Sequence, residues 1–244
     1  MSTSSDSTRL RFSVIGAGPV GLAMASALSG AGHELVAIST TDPVRASQIE
    51  AVLGTVQVVP VIDALQNVDL VIFAIPGEQI AELIKGLVKT ESLNRGTLLV
   101  HTSPDYGYEV FDDALAVGVV PIAIHPAIRF TGFSSIDRAR LVDSYIAVDA
   151  PRAVLPVAQT LAIELGGEPV HVPSTARAKY AEAISVAGTF TSLIVGQAIT
   201  LLEDAGIDKP RNLLGGIFRS SLEESLRTGV PEIDPAELFD GDNQ

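Results

Sequence analysis

Three residues of this chain are placed to move a proton next to a bound small molecule: His125, Ser103 and Lys179. His125 ends an apolar run and is followed by Pro126. Its near-neutral pKa suits a proton donor or a group that binds a carboxylate; the competing reading is a loop histidine that only hydrogen-bonds its neighbours. Ser103 closes the run His101-Thr102-Ser103, whose hydroxyls suit a ligand, and Ser103 before Pro104 equally suits a helix cap. Lys179 opens a long helix, where the dipole does not favour a cation. The alternative is a solvated lysine paired with Glu182 or with Glu203 of another chain. Arg129, just past His125-Pro126, is the nearest cation for an anionic substrate.

A second group of residues has phosphate chemistry. Residues 12–21 read F-S-V-I-G-A-G-P-V-G, and a helix-favouring run follows. Gly16 lets the chain turn sharply. Gly18 leaves no side chain between the backbone and a pyrophosphate. Gly21 lets the helix lie against the strand. The free N–H groups at that helix start attract a diphosphate. The expected dinucleotide contacts are Gly16, Ala17, Gly18, Pro19, Val20 and Gly21, with Ala74, Ile75 and Pro76 after a later strand. The end of the second strand separates the two nicotinamide dinucleotides. Ser39 and Thr40 stand where an acid would bind a ribose hydroxyl, and Arg45 lies one turn into the next helix. Hydroxyls with a nearby arginine suit a 2′-phosphate, so NADP(H) is expected, with NAD possible. Asp42 is the counter-argument, either as a ribose ligand or as the cap of the next helix.

The elements that must hold these groups alternate. Strands are expected over 34–39, 56–59, 69–75, 97–102, 119–124, 145–148 and 169–172. Helices are expected over 43–53, 78–88, in part 105–116, and 153–165. This argues an α/β fold with a doubly wound parallel sheet. Pattern and composition change at Pro173, beyond which only two helices follow, near 177–205 and 210–228. The expected domains are a dinucleotide-binding unit over 1–172, with a disordered lead-in over 1–8, and a helical unit over 173–244 with an acidic tail. Small residues recur in the first of these helices, among them Ala187, Gly188 and Gly196. Glycine inside a helix costs about 1 kcal/mol relative to alanine, so close contact with another backbone is the expected reason. A homodimer through the C-terminal helices follows.

Composition narrows the rest. Of 244 residues 47% are hydrophobic and only 5% aromatic, so the core is built from small aliphatic side chains. The net charge of −13 argues against nucleic acid and anionic membranes as partners. No cysteine is present, which excludes thiolate chemistry, and the four histidines lack metal-ligand spacing. No apolar segment reaches spanning length without Gly, Pro or charge, and no signal peptide is visible, so a soluble cytoplasmic protein is expected.

The glycine motif, Phe73-Ala74-Ile75-Pro76, Val100-His101-Thr102-Ser103, Ile124-His125-Pro126 and the helix beginning Arg177-Ala178-Lys179-Tyr180 together resemble a group of Rossmann-like proteins with an uncharacterised helical C-terminal domain. That group is similar to 6-phosphogluconate dehydrogenase, 3-hydroxyisobutyrate dehydrogenase and pyrroline-5-carboxylate reductase. The resemblance implies a nicotinamide oxidoreductase, usually dimeric, acting on a small carboxylate-bearing carbonyl, hydroxy or imine substrate. In the hydroxyacid dehydrogenases Lys179 would be the general acid. Glu182 and Ala183 stand where those enzymes carry asparagine, which leaves open a catalytically inactive NAD(P)-binding regulator or sensor. A deazaflavin partnered with NADP is also compatible with the glycine motif.

Overall fold

In the computed structural model, which describes residues 9–42, 44–45, 49, 53–132 and 134–229, strands and helices alternate as expected. The elements are β1 (Arg11–Ile15), α1 (Pro19–Ala31), β2 (Glu34–Ser39), β3 (Gln57–Val58), α2 (Val61–Ala64), β4 (Leu70–Phe73), α3 (Gly77–Lys89) and β5 (Leu98–His101). A 3₁₀ helix (Tyr108–Val117), β6 (Val120–Pro126), α4 (Ser134–Leu141), β7 (Tyr145–Asp149), α5 (Leu155–Glu164) and β8 (Glu168–His171) come next. Two long helices, α6 (Arg177–Asp204) and α7 (Pro210–Thr228), end the described chain. Most of the helix expected over 43–53, the lead-in over 1–8 and most of the acidic tail lie outside the described residues.

All eight strands form one sheet in the order β3-β2-β1-β4-β5-β6-β7-β8. The first six positions are the order of a dinucleotide-binding sheet, with its switch between β1 and β4. Leu70 and Ile72 of β4 pack into one helical layer, Val71 and Phe73 into the other. This is the period-2 alternation of a strand covered on both faces, and it explains why β4 is apolar throughout. Helix α1 lies over the first face with α5, and α3 and the 3₁₀ helix over the second.

The expectation of a parallel sheet needs one correction: β6 and β7 pair antiparallel. The connection over 127–144 carries only α4, and the Ala127 N–H donates to the Tyr145 carbonyl at 2.9 Å. The chain therefore turns back where β6 ends instead of crossing to the far end of the sheet. The crossover through α5 then restores parallel pairing between β7 and β8. Helix α4 is absent from the elements read from sequence, because its mixed polar pattern carries no clear period.

The chain divides into two compact units, Met1–Ile184 and Ser185–Gln244, with the division inside α6. Among the described residues no strand follows Pro173, and the change of unit comes about two turns into the helix that begins at Arg177. In the second unit Phe190, Leu193, Ile194, Leu201, Leu213 and Ile217 are exposed. The helical stretch Ser174–Asp204 is long and apolar enough to cross a membrane, with a mean hydropathy of 1.5 over its most apolar window. It contains Gly188 and Gly196, so it does not contradict the expectation that no segment of spanning length is free of Gly, Pro and charge. Gly188 and Gly196 interrupt the run without breaking the helix.

Gly16 has φ +106°, and a Cβ there would lie 2.3 Å from the Ala74 carbonyl oxygen. Backbone sits on both sides of that contact, so neither partner can yield cheaply. Gly16→Ala is expected to cost about 2 kcal/mol or more in denaturant unfolding, while a loss within about 0.5 kcal/mol, the range of neutral surface changes, would contradict this packing.

Candidate functional site

The glycine turn begins where β1 hydrogen-bonds its neighbours for the last time. The Gly16 N–H donates to the Ser39 carbonyl at 2.8 Å and the Ala74 N–H to the Ile15 carbonyl at 2.8 Å. These bonds tie the ends of β2, β1 and β4 to one level. Helix α1 then starts at Pro19, whose missing N–H and preset φ suit the first helical position. No acidic side chain occupies its first turn and Gly18 makes no side-chain cap. The first-turn N–H groups thus keep their hydrogen-bonding capacity at the positive end of the helix. A Cβ on Gly18 would meet nothing within 4 Å. That open space over the helix start fits a pyrophosphate.

This start opens into a cleft of about 360 Å³. Its walls are Gly18, Pro19 and Val20; Ala74, Ile75, Pro76 and Gly77; Thr102 to Asp105; and His125 and Phe130. Three loops at the carboxyl ends of β1, β4 and β5 therefore converge, together with the end of β6, as expected for ligand sites in such sheets. Gly16, Ala17 and Gly21 support this lining from behind.

At the end of β2, Ser39 is buried and Thr40 Oγ1 accepts the Asp42 N–H at 3.2 Å. Asp42 Oδ1 accepts the N–H groups of Val44 (2.9 Å) and Arg45 (3.4 Å), which is helix-cap geometry. Its Oδ2 faces Arg45 Nε at 3.5 Å. Arg45 Nη1 donates to the Ala17 carbonyl at 3.3 Å. The arginine is thus held beside the glycine turn, and Asp42 is engaged in capping and in positioning it.

The His101-Thr102-Ser103 run acts differently from a set of free hydroxyls. His101 is fully buried; its Nδ1 accepts the Ser103 N–H at 3.2 Å, so its proton sits on Nε2, which donates to the Gly107 carbonyl at 2.9 Å. Burial pushes its pKa down to about 4. The ring is a neutral clamp between the end of β5 and the 3₁₀ helix. Ser103 Oγ lies 3.4 Å from Asp105 Oδ2 and accepts the Asp105 N–H at 3.3 Å. Ser103 is thus a cleft wall that also forms a local turn.

His125 lines the cleft, and its Nδ1 lies 2.8 Å from Tyr180 Oη. The two rings meet edge to face at 5.5 Å. Burial, and then the Arg177 charge, lower the His125 pKa to about 4. Burial raises that of Tyr180, against the pull of Arg177. Arg177 and Ala181 are the buried face of the first turns of α6, with Tyr180 beside them. Lys179, two positions from Arg177, falls on the other side of the helix and is exposed. The structure therefore joins His125 to Tyr180 and Arg177, while Lys179 stands apart from the cleft walls. Arg129 is exposed; the neighbouring Phe130 reaches the cleft. Tyr180 and Arg177 escaped the sequence reading, although their spacing from Ala181 marks one helical face.

The chain belongs to the Rossmann-like domain family, whose model matches residues 1–126, and a second family model, a domain of unknown function (DUF2520), matches 144–233. No curated protein matches the sequence. Among solved structures, the chain is similar to a Bacteroides fragilis protein designated an NADP oxidoreductase: 18% identity, TM-score 0.74, with 94% of this chain and 83% of that one covered. It is also similar to 1-pyrroline-5-carboxylate reductase of Streptococcus pyogenes: 16% identity, TM-score 0.67, covering 98% and 86%. A third is pyrroline carboxylate reductase of Plasmodium falciparum, solved with NADP bound: 10% identity, TM-score 0.63, covering 93% and 85%. At these identities the likeness is one of fold.

Both clustered histidines take up a proton less readily in the folded chain than in the unfolded one. The unfolded chain therefore binds more protons between the ordinary value of 6.5 and about 4. Stability is full above that window and falls as pH drops through it, by on the order of 1 kcal/mol per histidine at about pH 5. Denaturant unfolding at about pH 7 and about pH 5 checks this. His125→Gln should remove roughly half of the difference these two groups make. A pH-independent stability would show that the histidines are not buried neutral.

Proposed function

We propose that the chain is an NADP(H)-preferring oxidoreductase that moves hydride between the nicotinamide and a carbonyl or imine carbon of a small carboxylate-bearing substrate. The observation that carries this reading is one cleft in which an open glycine-turn helix start and a neutral histidine share the same walls. The residues fit the dinucleotide. Gly18, Val20 and Gly21 would take the diphosphate at the helix start, Arg45 and Thr40 the phosphorylated ribose, and 74–77 and 102–105 the nicotinamide half. When bound, the nicotinamide supplies or accepts the hydride. The reductases named among the similar structures act on an imino acid by their names, and one carries NADP, which favours the same class here.

His125 has the proton-handling role in this reading. A neutral imidazole carries one ring proton. With the Tyr180 hydroxyl donating to Nδ1, that proton sits on Nε2, where it hydrogen-bonds the substrate oxygen or nitrogen as negative charge develops there. Burial keeps water from competing for it. Ser103 lines the same wall and orients the ligand. Lys179, the general acid by family resemblance, is exposed in the isolated chain, and its part in catalysis requires a partner or a closed state.

NADPH and NADH titrations by fluorescence test the cofactor half. NADPH should bind more tightly, and Arg45→Ala should erase about tenfold of that preference, the value of one charge-assisted contact. Gly18→Val should abolish binding of both while leaving the fold intact. Turnover of short 2-oxo and cyclic imino acids should fall about a hundredfold or more in His125→Ala, in the range of general acid–base catalysis. Tight NADPH binding with no turnover across the panel would instead favour the regulator, and binding of neither nucleotide would end both readings.

We also propose that the exposed apolar residues of α6 and α7 are covered by a second copy of the chain. Leu193, Ile194, Leu213 and Ile217 are each more than half exposed. Four such side chains, at about 2 kcal/mol each when buried, are a large share of the stability of a small domain. Sedimentation velocity should give a dimer at micromolar concentration, and Leu193→Asp should give a monomer. Binding of the wild-type chain to lipid vesicles without dimerisation would assign this face to a membrane instead.

A further inference from the structure

Arg177 is the bulkiest fully buried side chain among the described residues, at 1% exposure. Its Nε donates to the Val172 carbonyl at 3.1 Å. Its Nη1 and Nη2 are buried and make no hydrogen bond. A guanidinium with both terminal groups unused and no solvent contact is costly, and the cost is removed by an anion. The acids nearby are committed elsewhere. Asp149 Oδ1 accepts the Ala150 N–H at 3.1 Å and lies 3.2 Å from His171 Nε2, and its Oδ2 accepts the Ser174 hydroxyl at 2.6 Å. Glu109 also meets the Ser174 hydroxyl. Their charge steadies the guanidinium from a distance, yet burial still depresses its pKa.

The guanidinium sits one side chain away from the candidate proton donor. Its Cζ lies 5.9 Å from the centre of the Tyr180 ring, and the hydroxyl of that ring is 2.8 Å from His125 Nδ1. Tyr180 therefore spans the interval between a charged fork and the imidazole that lines the cleft. The terminal N–H groups of arginine match a carboxylate in a planar two-bond geometry that lysine cannot reproduce.

We propose that Arg177 is the carboxylate receptor of the substrate site. It selects compact acids whose carboxylate lies only a few bonds from the reducible carbon held at His125. The second half of this statement rests on the oxidoreductase reading above; the first does not. Because Nη1 and Nη2 have no solvent contact, the acid reaches them past the part-exposed Tyr180 ring, whose hydroxyl keeps its bond to His125 Nδ1. The site also gives a chain of net charge −13 a local place for an anion.

The test uses the full chain with ¹³C-labelled histidine, the His125 ring signals assigned through His125→Gln. Acetate is the probe and acetamide its neutral control. Acetate should shift the His125 signals saturably and acetamide should not. Arg177→Met should weaken acetate binding by about tenfold or more, and Arg177→Lys by less. Equal responses to acetate and acetamide, or unchanged acetate binding in Arg177→Met, would overturn the proposal. Should Arg177→Met fail to fold, Arg177→Lys decides: weaker acetate binding supports the receptor and unchanged binding overturns it. NADPH titrations on the same samples separate the two readings. NADPH binding without an acetate response overturns the receptor alone, and an acetate response without NADPH binding overturns the oxidoreductase alone.

Discussion

The site depends on two backbone approaches that no side chain could tolerate. A Cβ on Gly21 would lie 2.1 Å from the Gly16 carbonyl oxygen, and one on Gly16 would lie 2.3 Å from that of Ala74. These contacts press α1 onto the ends of β1 and β4 and aim its N-terminus into the cleft. Register carries the alignment further. Phe73 pairs with His101, and His101 with Ala123, so His125 emerges two residues beyond the level at which β4 and β5 end. A shift of one residue in any of these pairings would turn His125 away from the cleft.

The second constraint is electrostatic. Histidine is the usual switch near neutral pH, but burial removes both His101 and His125 from that role. His101 is spent on holding two backbone segments together. His125 lines the cleft, with one nitrogen tied to Tyr180. Arg177 stands behind them as a buried charge whose terminal groups have no partner. On the oxidoreductase reading, a neutral donor beside a buried cation would stabilise negative charge on a ligand even in a strongly acidic chain, because a desolvated pocket answers to its own walls.

Much of this was legible in the residues. The glycine turn, the apolar β4 and the change to helices at Pro173 each carry a strong local signal, and the structure brings Gly18, Ala74, Ser103 and His125 to one cleft as their strand-end positions imply. The antiparallel β7 was not legible, because strand direction is decided by the path of the connection over 127–144 and not by the composition of the strand. The partnership of Tyr180 and Arg177 with His125 was hidden for a similar reason. Facing side chains on a helix follow its rotation about the sheet, and the Ala-Lys pair of the family resemblance drew attention to Lys179, on the other side. Arg129 attracted attention by its closeness in sequence to His125, whereas Arg177 is close to it in space.

The central claim is that a dinucleotide lies across the glycine turn with its reactive end at His125. The most direct measurement is the backbone amide and histidine ring spectrum of the full chain during titration with NADP⁺. The account predicts saturable shifts at Gly18, Val20 and Gly21, at Ala74, Ile75 and Gly77, at Thr102, Ser103 and Asp105, and at the His125 ring. Shifts confined to other surfaces, or none at saturating nucleotide, would contradict it.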